Sequence, residues 1–269
     1  MGDEEPLVVR REGPVVRAVL NRPHRRNAMS AAMMAAMDAL LDELEADRGA
    51  AARVLVLEGA GGHFCAGLDL GEVAETPGGE AAELAVQVAR NAATGARFAR
   101  IAALPQVVVA RVRGGAFVGG LGFVCAADVA LCDGTARFSA PEVRRGLVAA
   151  QILPWVVRRT GRAAAQRMVL QADVLDAAAA ARIGLVHEAL PDEAALDAAV
   201  AALAADLLRG APGAVAETKA LLAALGPVAP EGYAAAGADA FARCAVGEAK
   251  EGIAAFKEKR PPAWEASRR

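Results

Sequence analysis

Residues 112–132 read VRGGAFVGGLGFVCAADVALC, and the reading of this stretch decides the fold. Just before it, residues 106–112 (QVVVARV) form a β-branched run, which predicts a strand. The glycines that follow are too dense for a central strand or the middle of a helix, so they mark a turn with close backbone approach. From Leu121 the chain is apolar and suits a buried helix, and residues 128–132 suit another strand. The order is strand, glycine turn, helix, strand, which predicts an α/β protein.

A second segment repeats the device. Residues 53–58 (RVLVLE) read as a compact buried strand, and GAGGHFCAGLDL (59–70) follows, too irregular for a helix or a central strand. Two glycine segments, each placed after a strand, can expose backbone N–H groups that bulkier residues would cover, and such amides receive anions. A helix beginning directly after Gly119 and Gly120 would add the partial positive charge of its N-terminus. Taken singly, either segment also reads as a packing device between strand and helix.

Outward from these segments, residues 15–20 predict a strand and residues 30–46 a helix capped by Ser30. Residues 78–103 are helix-forming up to the exit at Pro105. Beyond Pro141 come a break at Pro154-Trp155, an amphipathic helix over 158–170 and a short strand near 185–188. Helices are predicted over 192–209, 215–224 and 235–257, with APG and GPVAP as joints. The chain has 269 residues and is 55% hydrophobic but only 4% aromatic, so alanine-rich helices pack through small side chains.

A net charge of −2 with dispersed basic residues gives no electrostatic footprint for nucleic acid. The pairs Arg25/Arg26, Arg144/Arg145 and Arg158/Arg159 read as solvated faces. Cys65, Cys125, Cys132 and Cys244 have no CxxC spacing, so neither a metal site nor a disulfide framework is implied, and they read as buried thiols. The acidic start MGDEEP has no secretory pattern and no apolar run reaches membrane-spanning length, so the expected location is cytoplasmic and no membrane partner is implied.

Five motifs in order then carry a resemblance: LNRPHRRNAMS from Leu20, HFCAGLDL from His63, VRGGAFVGGLGFVCAADVAL from Val112, RFSAPEVRRGL from Arg137 and EGIAAFKEKR from Glu251. Together they resemble the enoyl-CoA hydratase/isomerase, or crotonase, superfamily over nearly the whole chain. The segment GLG followed by SAPEVRRGLVAAQILPWVVRRTG resembles a single-glutamate branch of methylglutaconyl-CoA hydratase-like proteins. The resemblance implies a ClpP-like crotonase spiral of repeated ββα units over 1–191. It also implies a helical oligomerisation region over 192–269 that builds homotrimers or hexamers (dimers of trimers). The implied ligand is acyl-CoA, with no cofactor beyond the CoA moiety of the substrate.

By position in the motifs, the resemblance implies that the amides of Leu68 and Gly119 form an oxyanion hole for a thioester enolate. Well-known hydratases carry two glutamates. Here the first aligns with Gly122, and only the second, Glu142, is kept. Glu142 lies among Phe138, Pro141, Val143 and Leu147, surroundings that would raise its pKa towards a value suited to proton transfer. For the CoA handle the matching positions are His24, Arg25, Arg26, Ala66 and Asp69, together with Phe256 and Lys259, the last supplied in the family by a neighbouring subunit. The family's usual lysine two residues beyond Asp69 is Gly71. Arg144 is a candidate partner for a substrate carboxylate, against the reading of a solvated arginine.

Asp128 reads as structural, His63 as a loop-packing residue, His187 as a structural residue of a strand, and Cys65 as a packing thiol rather than a nucleophile. The implied activity is hydration or dehydration of a 2-enoyl-CoA. Double-bond isomerisation, decarboxylation and a non-catalytic acyl-CoA-binding subunit are the alternatives.

Overall fold

A computed structural model describes residues 5–69, 71, 79–224 and 233–262. The chain opens with β1 (Leu7–Glu12) and β2 (Val15–Leu20), a 3-10 turn over Pro23–Arg25, α1 (Ala31–Asp47), β3 (Val54–Gly59) and α2 (Glu80–Ala103). Next come β4 (Val107–Val112), β5 (Gly115–Phe117), α3 (Gly119–Ala126), β6 (Val129–Asp133), β7 (Arg137–Ser139) and a 3-10 turn over Glu142–Arg145. The remainder is α4 (Leu153–Gln171), β8 (Leu175–Asp176), α5 (Ala177–Arg182), β9 (Glu188–Leu190), α6 (Glu193–Leu207), α7 (Pro212–Ala224), α8 (Tyr233–Val246) and α9 (Glu248–Lys257).

A six-stranded sheet runs in the order β1-β2-β3-β4-β6-β9. Only the β1–β2 hairpin is antiparallel; β2, β3, β4, β6 and β9 pair in parallel. A smaller, three-stranded sheet has the order β5-β7-β8. This mixed α/β architecture is the fold the glycine segments imply.

Parallel strands covered on both faces read as continuous apolar runs, and β3 shows how the run divides. Leu55 and Leu57 point into the main core, while Val54 and Val56 point to the opposite face, where Leu196 and Val200 of α6 close a second cluster. Helix α1 exists because Met33, Met37, Leu40, Leu41 and Leu44 fall on one face at helical spacing. Each fully buried leucine there contributes about 1.5–3 kcal/mol. As the sequence predicts, Ser30 caps this helix by accepting from the Met33 amide at 3.2 Å.

Three local expectations shift. Pro154 sits in the first turn of α4 rather than breaking the chain, because a first-turn amide has no helical partner to lose, and the kink falls instead at Gly161 (φ 75°). The last strand of the large sheet is Glu188–Leu190, displaced from 185–188, because Leu185 and Val186 turn into the core. Arg159 is not on a solvated face: its guanidinium donates to the carbonyls of Val124 and Ala127 at the end of α3.

Among the described residues no single helix is long and apolar enough to cross a membrane, and no cluster of three or more His, Cys, Asp or Glu side chains could hold a metal ion. Helix α8 lies along α2, and α9 packs on the 3-10 turn that follows β7.

Candidate active site

The two glycine segments meet. The first is held by Asn27, which is fully buried and takes a left-handed conformation (φ 55°) that asparagine tolerates. Its Nδ2 donates to the carbonyls of Ala60 (2.8 Å) and His63 (2.7 Å), and its Oδ1 accepts from the Arg22 amide (2.9 Å). The loop then pairs with β5: the Cys65 amide donates to Gly115 O at 3.0 Å, and the Phe117 amide donates to Cys65 O at 2.9 Å. Two residues on it pairs with Met29, which donates to Gly67 O (2.8 Å) and accepts from the Asp69 amide (3.1 Å). In such a parallel bridge residues 67 and 69 face the partner, so the N–H of Leu68 points the other way.

Gly67 (φ 92°) is the point of contact, since a Cβ there would lie 2.7 Å from Val118 Cβ and 3.1 Å from Phe117 O. Val118 itself has φ 53°, an uncommon conformation for a β-branched residue, and directly after it α3 begins. Gly119 is the first residue of that helix, so its N–H is one of the donors a helix leaves unpaired. A Cβ on Gly119 would meet Met29 Sδ at 3.0 Å, and one on Gly120 would meet Cys65 Cβ at 2.8 Å. The helix N-terminus can therefore lie against the first loop only because Gly120 lacks a side chain, whereas the contact at Gly119 is with the flexible end of Met29. Neither the Leu68 nor the Gly119 amide meets an acceptor among the described residues. Both residues line one cavity of about 1000 Å³, which Glu142 also lines.

Glu142 enters that cavity from the 3-10 turn after β7. It is 4% exposed. Burial pushes its carboxyl up to about 7, against a smaller opposing pull from its own amide and from Arg145. Its Oε2 is buried without a hydrogen-bond partner. Gly122, where well-known hydratases carry their other glutamate, is packed over: a Cβ there would lie 2.7 Å from Phe98 Cε2 and 2.9 Å from Ile152 Cγ2.

The residues matched to the CoA handle divide. Arg26, Ala66, Asp69 and Phe256 line the cavity, and Phe256 does so within its own chain. His24 and Arg25 are exposed on the 3-10 turn Pro23–Arg25, and Lys259 is exposed after α9; none of the three is in the cavity wall. Burial works against ionisation of Asp69, but the Arg22 guanidinium (2.8 Å) and the Gly71 amide (2.9 Å) outweigh it and hold the carboxyl below its usual value. Arg144 is exposed and donates to Gln171 O at 2.6 Å.

Asp128 accepts from the Val108 amide (2.7 Å) and pairs with Lys219 (2.5 Å), a structural role. The His63 ring accepts from the Gly115 amide at 3.4 Å, and the His187 ring accepts from the Ala130 amide at 3.1 Å. Burial pushes the Cys65 thiol up to about 12, so it is no nucleophile. Asn27, Met29 and Phe98 shape the site without having been singled out in the sequence, and Arg145, read there as half of a solvated pair, is half-buried in the cavity wall against Phe256. Asn27 lies inside a quoted motif, but only its positive φ and its three hydrogen bonds reveal the clamp.

A largely parallel α/β core thus sets two amides without a described acceptor and the unpaired, buried Glu142 carboxyl on one large cavity, the class of site that oxyanion-stabilising enzymes use. The chain belongs to the enoyl-CoA hydratase/isomerase family, whose model matches residues 10–267. It is 40% identical to Pseudomonas aeruginosa AtuE, with a TM-score of 0.77 over 97% of this chain and 99% of that one. An enoyl-CoA hydratase from Mycobacterium avium is 33% identical, with a TM-score of 0.84 over 97% of this chain and 99% of its own. The 2,3-dehydroadipyl-CoA hydratase of Escherichia coli K12 is 32% identical over 259 residues, which cover 95% of this chain and 97% of that protein.

Proposed function

We propose that this enzyme adds water to, or removes it from, a 2-enoyl-CoA, with the amides of Leu68 and Gly119 holding the thioester oxygen and Glu142 moving the proton. The observation that carries this reading is the buried Glu142 carboxyl, with one unpartnered oxygen, on the same cavity as two amides that lack acceptors. Attack of water at C3 places negative charge on the thioester oxygen. Two fixed donors stabilise that enolate by about 3 kcal/mol each. Glu142 takes the proton the water loses and returns one to C2. A carboxyl that titrates near 7 is suited to both steps, since each protonation state is well populated near neutrality.

The names of relatives support the reaction class: AtuE apart, the similar proteins cited are hydratases. For the CoA handle the reading uses Arg26, Ala66, Asp69 and Phe256 on the cavity wall, with His24, Arg25 and Lys259 outside it. Trimers or pairs of trimers would cover the exposed Leu170, Val174, Leu221 and Leu222.

Isomerisation is the second reading, and the filled space at Gly122 favours it, because one acid/base suffices to carry a proton between the two carbons flanking an enolate. Incubating a 2-enoyl-CoA with the enzyme in heavy-oxygen water separates the two. Label in a 3-hydroxyacyl product supports hydration, whereas a moved double bond without label supports isomerisation.

A further inference from the structure

The turn that carries Glu142 also carries a cation that forms no ion pair with any described residue. A 3-10 turn has three residues per revolution, so residues three apart eclipse. Over Glu142–Arg145 this puts Arg145 on the face of Glu142, while Arg144, which also lines the cavity, is exposed and donates to Gln171 O at 2.6 Å. Arg145 lines the cavity half-buried, with its guanidinium carbon 4.4 Å from the centre of the Phe256 ring. It has no hydrogen bond or ion pair with any described residue, and Glu142 is the acid close enough to act on it through charge.

Other cations in that wall differ, and Arg144 among them is exposed and bonded to Gln171 O. Arg97 pairs with Asp38 at 2.7 Å, Arg260 pairs with Glu251 at 2.7 Å, and Arg26 and Arg90 are exposed. A guanidinium stays charged and offers five donors in a planar fork. Stacking one face on Phe256 fixes the plane and leaves the edges free for a ligand oxygen pair. Holding such a charge away from bulk water is unfavourable unless an anion joins it.

We infer that Arg145 is the receptor for an anionic oxygen group of the bound thioester, taking it edge-on while Phe256 holds the guanidinium plane. The inference rests on the thioester reading of the cavity. Two parts of such a ligand bring this chemistry: a carboxylate on the acyl chain or a phosphate of the CoA handle.

The test is calorimetric binding of four unreactive thioesters, glutaryl and pentanoyl, each on CoA and on pantetheine, to the full-length wild type, Arg145→Met, Arg145→Lys and Arg144→Met. Arg145→Met is expected to weaken, by about tenfold or more, only those thioesters that carry the recognised anion. Both glutaryl thioesters weaken if the anion is the acyl carboxylate; both CoA thioesters and neither pantetheine one weaken if it is a phosphate. Arg145→Lys recovers part of the affinity, and Arg144→Met weakens binding less than Arg145→Met; an equal or larger loss in Arg144→Met overturns the inference. Wild-type affinity of Arg145→Met for all four overturns the inference, as does equal weakening that includes pentanoyl-pantetheine, which bears no anion. If the wild type binds none of the four, the thioester reading itself falls, and this inference with it.

Discussion

The ring of Phe98 occupies the space that a side chain on Gly122 would need, with Phe98 Cε2 2.7 Å from the position of a Cβ. Phe98 also meets Phe123 edge-on, with ring centres 5.3 Å apart, so the ring is held from two directions. A second carboxylate therefore cannot be added to this site without moving the core. Gly122→Glu should lose about 2 kcal/mol or more of stability by overpacking, with no gain in hydration. Phe98→Ala alone should cost about 3–5 kcal/mol. In the double variant the loss should fall short of the sum by about 1 kcal/mol or more in denaturant titrations. Additive losses would mean that the two positions do not compete for space.

Glu142→Gln should lower kcat about 10²- to 10⁴-fold while thioester binding changes little, because the amide keeps the shape and removes the proton. In the wild type, kcat/KM against pH should inflect near 7, where burial sets this carboxyl. The inflection should vanish in the residual rate of the variant. Full activity of Glu142→Gln on some thioester would assign the proton transfer to another group.

The same burial makes a stability prediction of definite sign. The folded state holds the Glu142 proton up to about pH 7, while the unfolded chain releases it near 4.5. The folded protein therefore binds more protons between those values and loses stability as pH rises through that window. Glu142→Gln has no proton to release, so relative to wild type it should be up to about 3 kcal/mol more stable at pH 8 than at pH 4.5. Thermal melts of both proteins at the two pH values measure it. A difference that is flat with pH would place the carboxyl in water.

Asn27→Ala leaves the carbonyls of Ala60 and His63 and the amide of Arg22 without their partner. It should cost about 2–3 kcal/mol and lower kcat/KM, because the first glycine loop would no longer be pinned against β5. Asn27→Asp should be no better, since it presents an anion to two carbonyl oxygens. Wild-type stability and kcat/KM in Asn27→Ala would show the loop to be held by other contacts.

Much of the frame was legible because local signals and tertiary demand agree. β2, β3 and β4 are valine- and leucine-rich and largely buried, α1 has its cap and its apolar stripe, and the two glycine segments fall where backbones approach within contact distance. What stayed hidden depends on partners far away in sequence. β1 is an exposed edge whose second half, RRE, reads as a polar segment, and β5, β7 and β8 are two or three residues long and exist only as neighbours of one another.

Glu142 stood out by motif and by its apolar neighbours, and burial bears out the direction of its pKa. Sequence favours Arg144 over Arg145 as a carboxylate partner; both line the cavity, but Arg144 is exposed and bonded to Gln171 O, and only the structure shows Arg145 half-buried against Phe256. Gly122 reads in sequence as a missing acid. That Phe98 and Ile152 fill its place could be known only once α2 and α4 were set around α3.

The account depends most on the two amides, and a crystal structure of Glu142→Gln with an enoyl-CoA trapped in the cavity tests them directly. The thioester oxygen should lie roughly 2.7–3.1 Å from both Leu68 N and Gly119 N, with C3 of the acyl group facing residue 142. A thioester oxygen bound elsewhere in the cavity, with either amide out of reach, would contradict the account.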